Sequence, residues 1–239
     1  MIAVFYAMEG EIGEPLPNFV QKGEAIRPER WHREDPNSCC VIKKGEYHDK
    51  KIILVQTGIW VIPGVGNFQS KEVAEYLFNE FSIKRVIIVG TSGGMKEELK
   101  NGDIVVCKPI CAEGKKPLHP NRELYSLAKD MLRKAGIKLY VKNNLTIPFY
   151  AMRLEERREI ARKHPEAWVI EMENYFIASV AKARKAPFLA VRVVNETFEE
   201  VIVPKEERDP IEQLRMRERF LNARAILTHE FLLPFLQRL

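Results

Sequence analysis

Residues 85–94 read Arg-Val-Ile-Ile-Val-Gly-Thr-Ser-Gly-Gly, and the fold class can be inferred outward from this stretch. The β-branched run Arg85–Val89 predicts a strand that is buried on both faces. The glycine-rich residues 90–94 follow at once and predict a tight turn at the end of that strand. Ligands of open α/β sheets bind outside the carboxyl ends of the strands, so this turn is a candidate binding segment.

Strand patterns and helix patterns alternate on both sides of this stretch. We predict strands at Met1–Tyr6, Val41–Tyr47, Lys51–Thr57, Asp103–Cys107, Ile137–Val141, Leu145–Pro148, Trp168–Ile170 and Phe188–Val194. We predict helices at Glu72–Phe81, Arg122–Ala135, Leu154–Lys163, Glu171–Arg184 and Pro210–Leu239, the last of which Pro234 could kink. Gly10–Asn37 is rich in proline, glycine and charge and predicts an irregular segment. The alternation indicates an α/β layered domain, and residues 1–239 are expected to form a single domain.

The composition is that of a globular protein with its own core. The chain has 239 residues, 46% of them hydrophobic, so it can bury a core without disulfide bonds. The net charge of +5 is small and the acidic and basic residues are interleaved, so we expect no nucleic-acid partner. The mixed segment Arg153–Lys163 predicts a solvated helix face with ion pairs along it. A composition rich in lysine, glutamate and arginine is also typical of a thermophile.

Two features bear on the location of the protein. The longest uncharged stretch, Ile52–Ser70, contains Gln56, Asn67 and Pro63, so we predict no membrane-spanning helix and no membrane partner. The N-terminus lacks the basic region of a signal peptide. We therefore expect a cytoplasmic protein.

The cysteines and histidines do not form a recognisable metal-binding pattern. Cys39, Cys40, Cys107 and Cys111 include no C-x2-C pair, and the five histidines are scattered. We therefore expect reduced structural cysteines, no metal and no cofactor. The segment Gly64–Gln69 lacks the third glycine of a dinucleotide-binding motif, and 90–96 is not a P-loop.

Four segments instead place polar residues at the ends of predicted strands. They are Ala7-Met8-Glu9-Gly10-Glu11, Gly90-Thr91-Ser92-Gly93-Gly94-Met95 with the following Leu99–Val106, Val169-Ile170-Glu171-Met172-Glu173-Asn174, and Val191-Arg192-Val193-Val194-Asn195-Glu196. Carboxylates at such positions are suited to binding hydroxyl groups or to transferring protons.

Taken together, these segments resemble the purine nucleoside phosphorylase/uridine phosphorylase superfamily. They are most similar to its methylthioadenosine–adenosylhomocysteine nucleosidase branch, which carries AMEEE, a TGSAGG-like turn, L-x-x-GDIVV, VEMEA and R-x-x-SD in the same order. The resemblance implies a three-layer αβα sandwich with a mixed central sheet. It also implies a nucleosidase that hydrolyses the N-ribosidic bond of a purine-type nucleoside, either methylthioadenosine/adenosylhomocysteine-like or futalosine-like. The expected partners are a small-molecule nucleoside, water or phosphate as co-substrate, and further copies of the chain in a dimer or hexamer.

The resemblance also implies roles for individual residues. Four would be catalytic: Glu11 would orient water, Arg192 would lie by the nucleophile or Glu11, and Glu196, or alternatively Asn195, would contact the leaving base. The substrate-binding residues would include Glu173, which would bind the ribose hydroxyls, and Met172, which would pack against sugar and base. The others expected to bind substrate are Thr91, Ser92, Gly93, Phe149 (or its neighbour Tyr150), Ile170 and Glu171.

Each of these assignments has a structural alternative. Glu9 and Glu11 could be charges at the start of a helix, and Glu171 is the more structural of the pair Glu171 and Glu173. Phe149 could be a core residue, and the glycine segment a simple turn.

The nucleophile is open between water and phosphate. Phosphorylases hold a phosphate dianion with arginines. The hexameric branch carries a G-D-P-x-R run that is absent here, and Ile88-Val89 stand where another arginine would be. Water is therefore favoured, but Arg27, Arg30 and Arg33 could supply phosphate contacts. A non-catalytic nucleoside-binding protein is the third hypothesis.

Overall fold

The computed structural model describes residues 1–13, 16–31, 35–59, 61–62, 66–151, 153–200 and 209–239. Its eleven named strands are β1 (Ile2–Tyr6), β2 (Phe19–Gln21), β3 (Val41–Tyr47), β4 (Lys50–Gln56), β5 (Val61–Ile62), β6 (Gly66–Asn67), β7 (Arg85–Gly94), β8 (Ile104–Ala112), β9 (Leu139–Thr146), β10 (Val169–Glu171) and β11 (Phe188–Glu196). The helices are α1 (Phe68–Glu80), α2 (Arg122–Lys134), α3 (Leu154–Lys163), α4 (Asn174–Ala183), α5 (Pro210–Ala225) and α6 (Leu233–Arg238).

Nine strands form one mixed sheet in the order β10-β9-β8-β11-β7-β1-β4-β3-β2. The central strands β4, β1, β7 and β11 are parallel, whereas β3 and β8 run antiparallel to their neighbours β4 and β11. Strand β10 pairs both with β9 and, antiparallel, with the end of β7. Strands β7, β11, β8, β9 and β10 thereby close into a ring at one side of the sheet.

Helices cover both faces of the sheet, which confirms the predicted sandwich. Successive residues of β1 point to opposite faces of the sheet. Ala3 and Phe5 pack with α1 and α4, whereas Val4 packs with α2 and the C-terminal helices. Both faces of the central strands are therefore buried, as their continuous apolar sequences predict. No helix in the described part of the chain is both long and apolar enough to cross a membrane.

The predicted tight turn at residues 90–94 is wrong, because these residues continue strand β7. Their backbone pairs with β11 on one side, where Gly90 lies opposite Arg192, and with β10 on the other, where Gly93 lies opposite Ile170. A Cβ atom on Gly93 would lie only 3.3 Å from the Ile170 side chain. The glycines therefore allow close packing of a strand in place of a reversal of the chain.

Two further boundaries differ from the prediction. The two predicted strands Ile137–Val141 and Leu145–Pro148 merge into the single strand β9, because the intervening Asn144 pairs with Ile110 of β8 and Val169 of β10. The helix predicted from Glu171 begins at Asn174, since Glu171 is the last residue of β10. No helix begins at Glu9 or Glu11, where the described chain turns.

The remaining segments broadly follow the sequence pattern. Within Gly10–Asn37 the described residues include the short strand β2, a single bridge from Ile26 to Ile42 and a 3-10 turn, with a second such turn at Pro36–Ser38. In the C-terminal tail, a π-helical stretch at Ile226–Leu232 precedes Pro234. Proline lacks the N–H for an α-helical hydrogen bond, and a wider turn before it is the local response to that loss. Gly64 and Val65 of the dismissed dinucleotide motif, and Pro63, lie outside the described residues.

Candidate active site

A cavity of about 280 Å³ opens at the carboxyl ends of β1, β7 and β11. Its wall includes all the residues that the sequence nominated, namely Glu11, Thr91, Ser92, Gly93, Phe149, Ile170, Glu171, Met172, Glu173, Arg192, Asn195 and Glu196. It also includes Ala7, Met8, Ile59, Ile147, Tyr150, Ala151 and Arg157. Side chains from distant parts of the sequence meet here because the central strands end at the same edge of the sheet.

Arg192 is the centre of a buried polar cluster at one end of the cavity. Its Nε and Nη2 donate to Asn174 Oδ1 at 3.1 and 2.6 Å, and its Nη1 donates to the Thr91 carbonyl at 3.2 Å. Nη2 also lies 3.0 Å from Glu171 Oε2 and 3.3 Å from Glu173 Oε2. Burial opposes the charge of the guanidinium, but the adjacent carboxylates raise the pKa of Arg192 further above its usual value.

Glu11 completes this cluster from the loop after β1. Its Oε2 accepts hydrogen bonds from the backbone N–H groups of Ala7 (2.7 Å) and Met8 (3.2 Å). Its Oε1 accepts from the Thr91 N–H at 2.6 Å and the Thr91 hydroxyl at 3.2 Å, and lies 3.8 Å from Arg192 Nη1. The carboxylate is thus fixed over the glycine-rich part of β7. We call Glu11, Glu171, Glu173 and Arg192 the three-carboxylate cluster.

Gly90 makes room for this arrangement. A Cβ atom at this position would collide with the Arg192 guanidinium and lie 2.5 Å from Glu11 Oε1. The absence of a side chain at Gly90 therefore allows Arg192 and Glu11 to approach each other across β7.

Both carboxylate oxygens of Glu171 accept hydrogen bonds from the protein. Its Oε2 accepts from the backbone N–H groups of Glu173 (2.7 Å) and Asn174 (2.6 Å), at the N-terminus of α4. Its Oε1 accepts from Asn144 Nδ2 and the Thr146 hydroxyl. Glu171 therefore caps the helix and anchors Arg192, in agreement with its more structural interpretation, although it also lines the cavity.

Glu173 is less saturated than Glu171. Its Oε1 accepts from Asn67 Nδ2 at 3.3 Å, and its Oε2 accepts from Arg192 at 3.3 Å. Burial raises the pKa of Glu173 to about 8; Arg192 opposes this shift, and the charges of Glu171 and Glu11 add to it. A buried carboxyl group with only two long hydrogen bonds and a perturbed pKa is a candidate for contact with a ligand.

A second polar group occupies another part of the cavity wall. Glu196 Oε1 accepts from the Tyr150 hydroxyl at 2.8 Å, and Glu196 Oε2 accepts from Arg157 Nη2 at 2.9 Å. Arg157 is 1% exposed, and its other nitrogens donate to the carbonyls of Ala151 and Thr197. We call Glu196, Arg157 and Tyr150 the Arg157 cluster.

Asn195 is displaced from the regular strand pairing by the backbone of β11. The pairing register between β11 and β7 shifts between Val194 and Glu196, so Asn195 is the extra residue of a bulge. Its Oδ1 and the Ser92 Oγ are both buried without a hydrogen-bond partner. Unpartnered buried oxygens in a cavity wall indicate polar groups that a ligand could satisfy.

Apolar side chains form the rest of the wall. Ile170 and Met172 belong to a small buried cluster with Ile147 and Ala151. Phe149 and Tyr150 are 41% and 47% exposed at the cavity, which is inconsistent with a core role for Phe149. An apolar wall with exposed aromatic rings is suited to a flat heteroaromatic ligand.

The sequence interpretation missed three residues that organise the site: Arg157, Asn174 and Asn67. Arg157 was assigned to a solvated helix face, which is wrong for this residue. One face of α3 carries Leu154, Arg157, Ile160 and Ala161 at helical spacing. A charged residue within this apolar stripe is the sequence feature that could have predicted the burial of Arg157. Asn67 and Asn174 act only through tertiary hydrogen bonds and left no local signal.

The arginines considered for phosphate binding lie elsewhere. Arg27 and Arg30 are exposed and are not part of the described cavity wall, and Arg30 stacks on Trp31. Arg33 lies outside the described residues. Within the described chain, no group of three or more histidine, cysteine, aspartate or glutamate side chains is arranged to hold a metal ion.

The mixed sheet between two helical layers, with a carboxylate-lined cavity at its strand ends, defines a nucleoside phosphorylase-like α/β protein. The chain belongs to the phosphorylase superfamily, because the model of that family matches residues 1–232.

Two relatives are similar to this chain in sequence. The 5′-methylthioadenosine/S-adenosylhomocysteine nucleosidase of Bacillus pumilus is 26% identical over 215 residues, which are 82% of this chain and 85% of the relative. That of Baumannia cicadellinicola is 24% identical over 178 residues, 68% of this chain and 75% of the relative.

The solved structures agree in fold. Futalosine hydrolase of Helicobacter pylori has a TM-score of 0.79 at 18% identity, covering 100% of this chain and 97% of the other. The 5′-methylthioadenosine/S-adenosylhomocysteine nucleosidase of Neisseria meningitidis, in complex with methylthio-immucillin-A, has a TM-score of 0.77 at 21% identity, covering 100% and 99%.

Proposed function

We propose that this protein is a nucleosidase that hydrolyses the N-ribosidic bond of a purine-type nucleoside, either methylthioadenosine/adenosylhomocysteine-like or futalosine-like. The observation that carries the proposal is the three-carboxylate cluster, in which three buried carboxyl groups surround one arginine beside the apolar part of the cavity wall. The named relatives support the same chemistry.

The three-carboxylate cluster would stabilise the sugar. Cleavage of a ribosyl C1′–N bond passes through an oxocarbenium-like transition state, so positive charge develops on the ribose. Glu173 would bind the ribose hydroxyls, and its interaction would strengthen as that charge develops. Arg192 neutralises only part of the cluster, which leaves the excess negative charge that a cationic sugar favours.

Glu11 would orient the attacking water. Its carboxylate is fixed by the backbone N–H groups of Ala7, Met8 and Thr91, so it presents its oxygens in one position. The water oxygen bonds to C1′ and its proton passes to Glu11.

Glu196 would act on the leaving base. As the C1′–N bond breaks, its electron pair goes to the base, and Glu196 gives a proton to a base nitrogen. Asn195, with its unpartnered Oδ1, would hydrogen-bond the same base, and Phe149 and Tyr150 would lie against it. After release, the proton held by Glu11 and the one lost by Glu196 are exchanged with solvent, so the reaction consumes one water.

Water is favoured over phosphate by the charges around the cavity. The two arginines of the described wall, Arg157 and Arg192, already donate to several protein acceptors each. A phosphate dianion would need arginine donors of its own and would be repelled by the negative charge around Arg192.

The test is base release from a panel of methylthioadenosine, adenosylhomocysteine, inosine, adenosine, uridine and futalosine, each with and without phosphate. We expect release of a purine-type base without phosphate. Release only in the presence of phosphate would establish a phosphorylase. Stabilisation by nucleosides in thermal shift without any release would establish a non-catalytic binding protein.

We also propose that the protein is a homo-oligomer of the cytoplasm. The exposed Ile211, Leu214 and Leu221 on α5 support a protein contact, because they lie at helical spacing on one surface. The four cysteines are thiols, as expected in a reducing compartment. Light scattering of the purified chain would measure the subunit number, and a monomer would contradict the proposal.

A further inference from the structure

Arg157 is buried at the cavity although the segment that carries it is otherwise charged and exposed. Its immediate neighbours Arg158 and Glu159 are exposed, whereas Arg157 faces inward between Leu154 and Ile160. An arginine is rarely fully buried unless its charge and donors are satisfied, so this position has a specific cause.

The contacts of Arg157 supply that cause. Nε donates to the Ala151 carbonyl at 3.2 Å, Nη1 to the Thr197 carbonyl, and Nη2 to Glu196 Oε2 at 2.9 Å. Two backbone carbonyls thus hold the guanidinium, and the third contact is with Glu196. The rigid guanidinium is thereby fixed, and its remaining nitrogen holds one oxygen of the Glu196 carboxyl group.

We propose that Arg157 is a positioning residue for the leaving base, which acts through Glu196. This inference rests on the proposed function. Arg157 holds the Glu196 carboxyl group in place. It also stabilises the carboxylate that remains after Glu196 has given its proton to the base.

The chemistry follows from where charge develops. In the proposed step a proton leaves the Glu196 carboxyl group for the base while the C1′–N electron pair passes to the base, so negative charge develops on Glu196. A fixed cation 2.9 Å from Oε2 interacts more strongly with the carboxylate than with the carboxylic acid. Arg157 therefore stabilises the transition state for departure of the base and not the binding of the ribose.

Two substrates separate this role from a structural one. One is a nucleoside that the wild-type protein hydrolyses, whose base needs a proton to leave. The other is 4-nitrophenyl β-D-ribofuranoside, from which C1′–O cleavage releases 4-nitrophenolate with the electron pair and without a proton. Only the first reaction needs Glu196, so only the first should need Arg157.

The variants are Arg157→Met, which removes the charge at similar length, and Arg157→Lys, which keeps the charge without the fork. For Arg157→Met we expect kcat on the nucleoside to fall on the order of 10²-fold, with KM and the aryl riboside kcat changed less than about threefold. Arg157→Lys should recover part of the loss. In a Glu196→Gln background, Arg157→Met should cause no further loss. The exposed neighbour provides the matched control, Arg158→Met, which should behave as wild type.

Equal losses on the two substrates, an additive loss in the Glu196→Gln background, or an unchanged Arg157→Met variant would each overturn the proposal. If Arg157→Met does not fold, judged by circular dichroism, the same substrate comparison on Arg157→Lys decides. Failure of the proposed function is distinguishable, since the wild-type protein would then release base from no nucleoside in the absence of phosphate.

Discussion

The two buried arginines of the cavity have different surroundings. Arg192 faces three carboxyl groups, Glu11, Glu171 and Glu173, whereas Arg157 faces one, Glu196. The three-carboxylate cluster therefore carries excess negative charge, and the Arg157 cluster is close to balanced. The same residue types thus serve two purposes: an excess of carboxylates favours a cation, and a matched pair favours controlled transfer of one proton.

The clusters also differ in how their arginines are anchored. Arg192 lies on a central strand, and the amide of Asn174 accepts from two of its nitrogens; Asn174 in turn donates to Asn144. Arg157 lies on α3 and is anchored by backbone carbonyls of the segments before it and after β11. Arg192 thus lies in the sheet itself, whereas the position of Arg157 depends on how a peripheral helix packs.

The largest effect should come from the least saturated carboxyl group of the three-carboxylate cluster. We expect Glu173→Gln to lower kcat/KM for nucleoside hydrolysis by about 10²–10³-fold, because glutamine lacks the carboxyl group that would bind the ribose hydroxyls and could ionise as positive charge develops on the sugar. The change keeps the size of the side chain, and thermal melting should show a folded protein. The control is Glu159→Gln on the exposed face of α3; turnover by Glu173→Gln at the wild-type rate would contradict the comparison.

Crowding the same cluster should have the next largest effect. In Gly90→Ala the new methyl group collides with Arg192 and Glu11, so both side chains must shift. We expect a loss of about 10²-fold in kcat/KM, because small misplacements of catalytic groups cost that much. Gly13→Ala is the control, since its Cβ would meet Thr228 only at an ordinary 3.5 Å. Steady-state kinetics of both variants would check this, and equal activities would show that the approach across β7 is unimportant.

The excess charge of the three-carboxylate cluster should also appear in the pH dependence of stability. The pKa of Glu173 is raised to about 8 in the folded protein, above the ordinary value of an unfolded glutamate. The folded state therefore binds more protons than the unfolded state between these values. The free energy of unfolding should fall as pH rises from about 5 to about 8, by up to about 1.4 kcal/mol per pH unit for one proton.

Denaturant unfolding of wild type and Glu173→Gln at several pH values would measure this. Near pH 4 the difference in free energy of unfolding between the two proteins should be small. As pH rises, the wild type should become less stable relative to Glu173→Gln, until the carboxyl group ionises in the folded protein. A difference that does not change with pH would mean that burial does not hold Glu173 protonated.

The two clusters also differ in how far the sequence could reveal them. Glu173 and Arg192 lie in ordered motifs at strand ends, where local pattern and position in the sheet coincide, so the sequence predicted their place in the cavity wall. Their chemical roles stay predictions. The buried strands and the α/β layered class followed from apolar runs and alternation in the same way, whereas the three-layer sandwich with a mixed sheet was implied by the resemblance to the superfamily.

Arg157 and the extended strand β7 were mispredicted for a common reason. A glycine-rich stretch and a charged helix have strong local interpretations, a turn and a solvated face, and only tertiary contacts override them. For Gly93 the contact is with Ile170, and for Arg157 it is with Glu196. Neither partner is adjacent in sequence.

The smallest effect should come from Tyr150, which sharpens the contrast within the Arg157 cluster. In Tyr150→Phe the ring remains against the cavity, and Glu196 loses only the hydrogen bond to Oε1, while Arg157 still holds Oε2. A single neutral hydrogen bond contributes about 1 kcal/mol, so we expect a fall of only about fivefold in kcat on a nucleoside. Tyr150→Ala should also raise KM, because it removes the ring itself. If Tyr150→Phe instead lost as much activity as Arg157→Met, the tyrosine hydroxyl would be as important as the arginine in fixing Glu196, and the cluster would act as a triad in place of a charge pair.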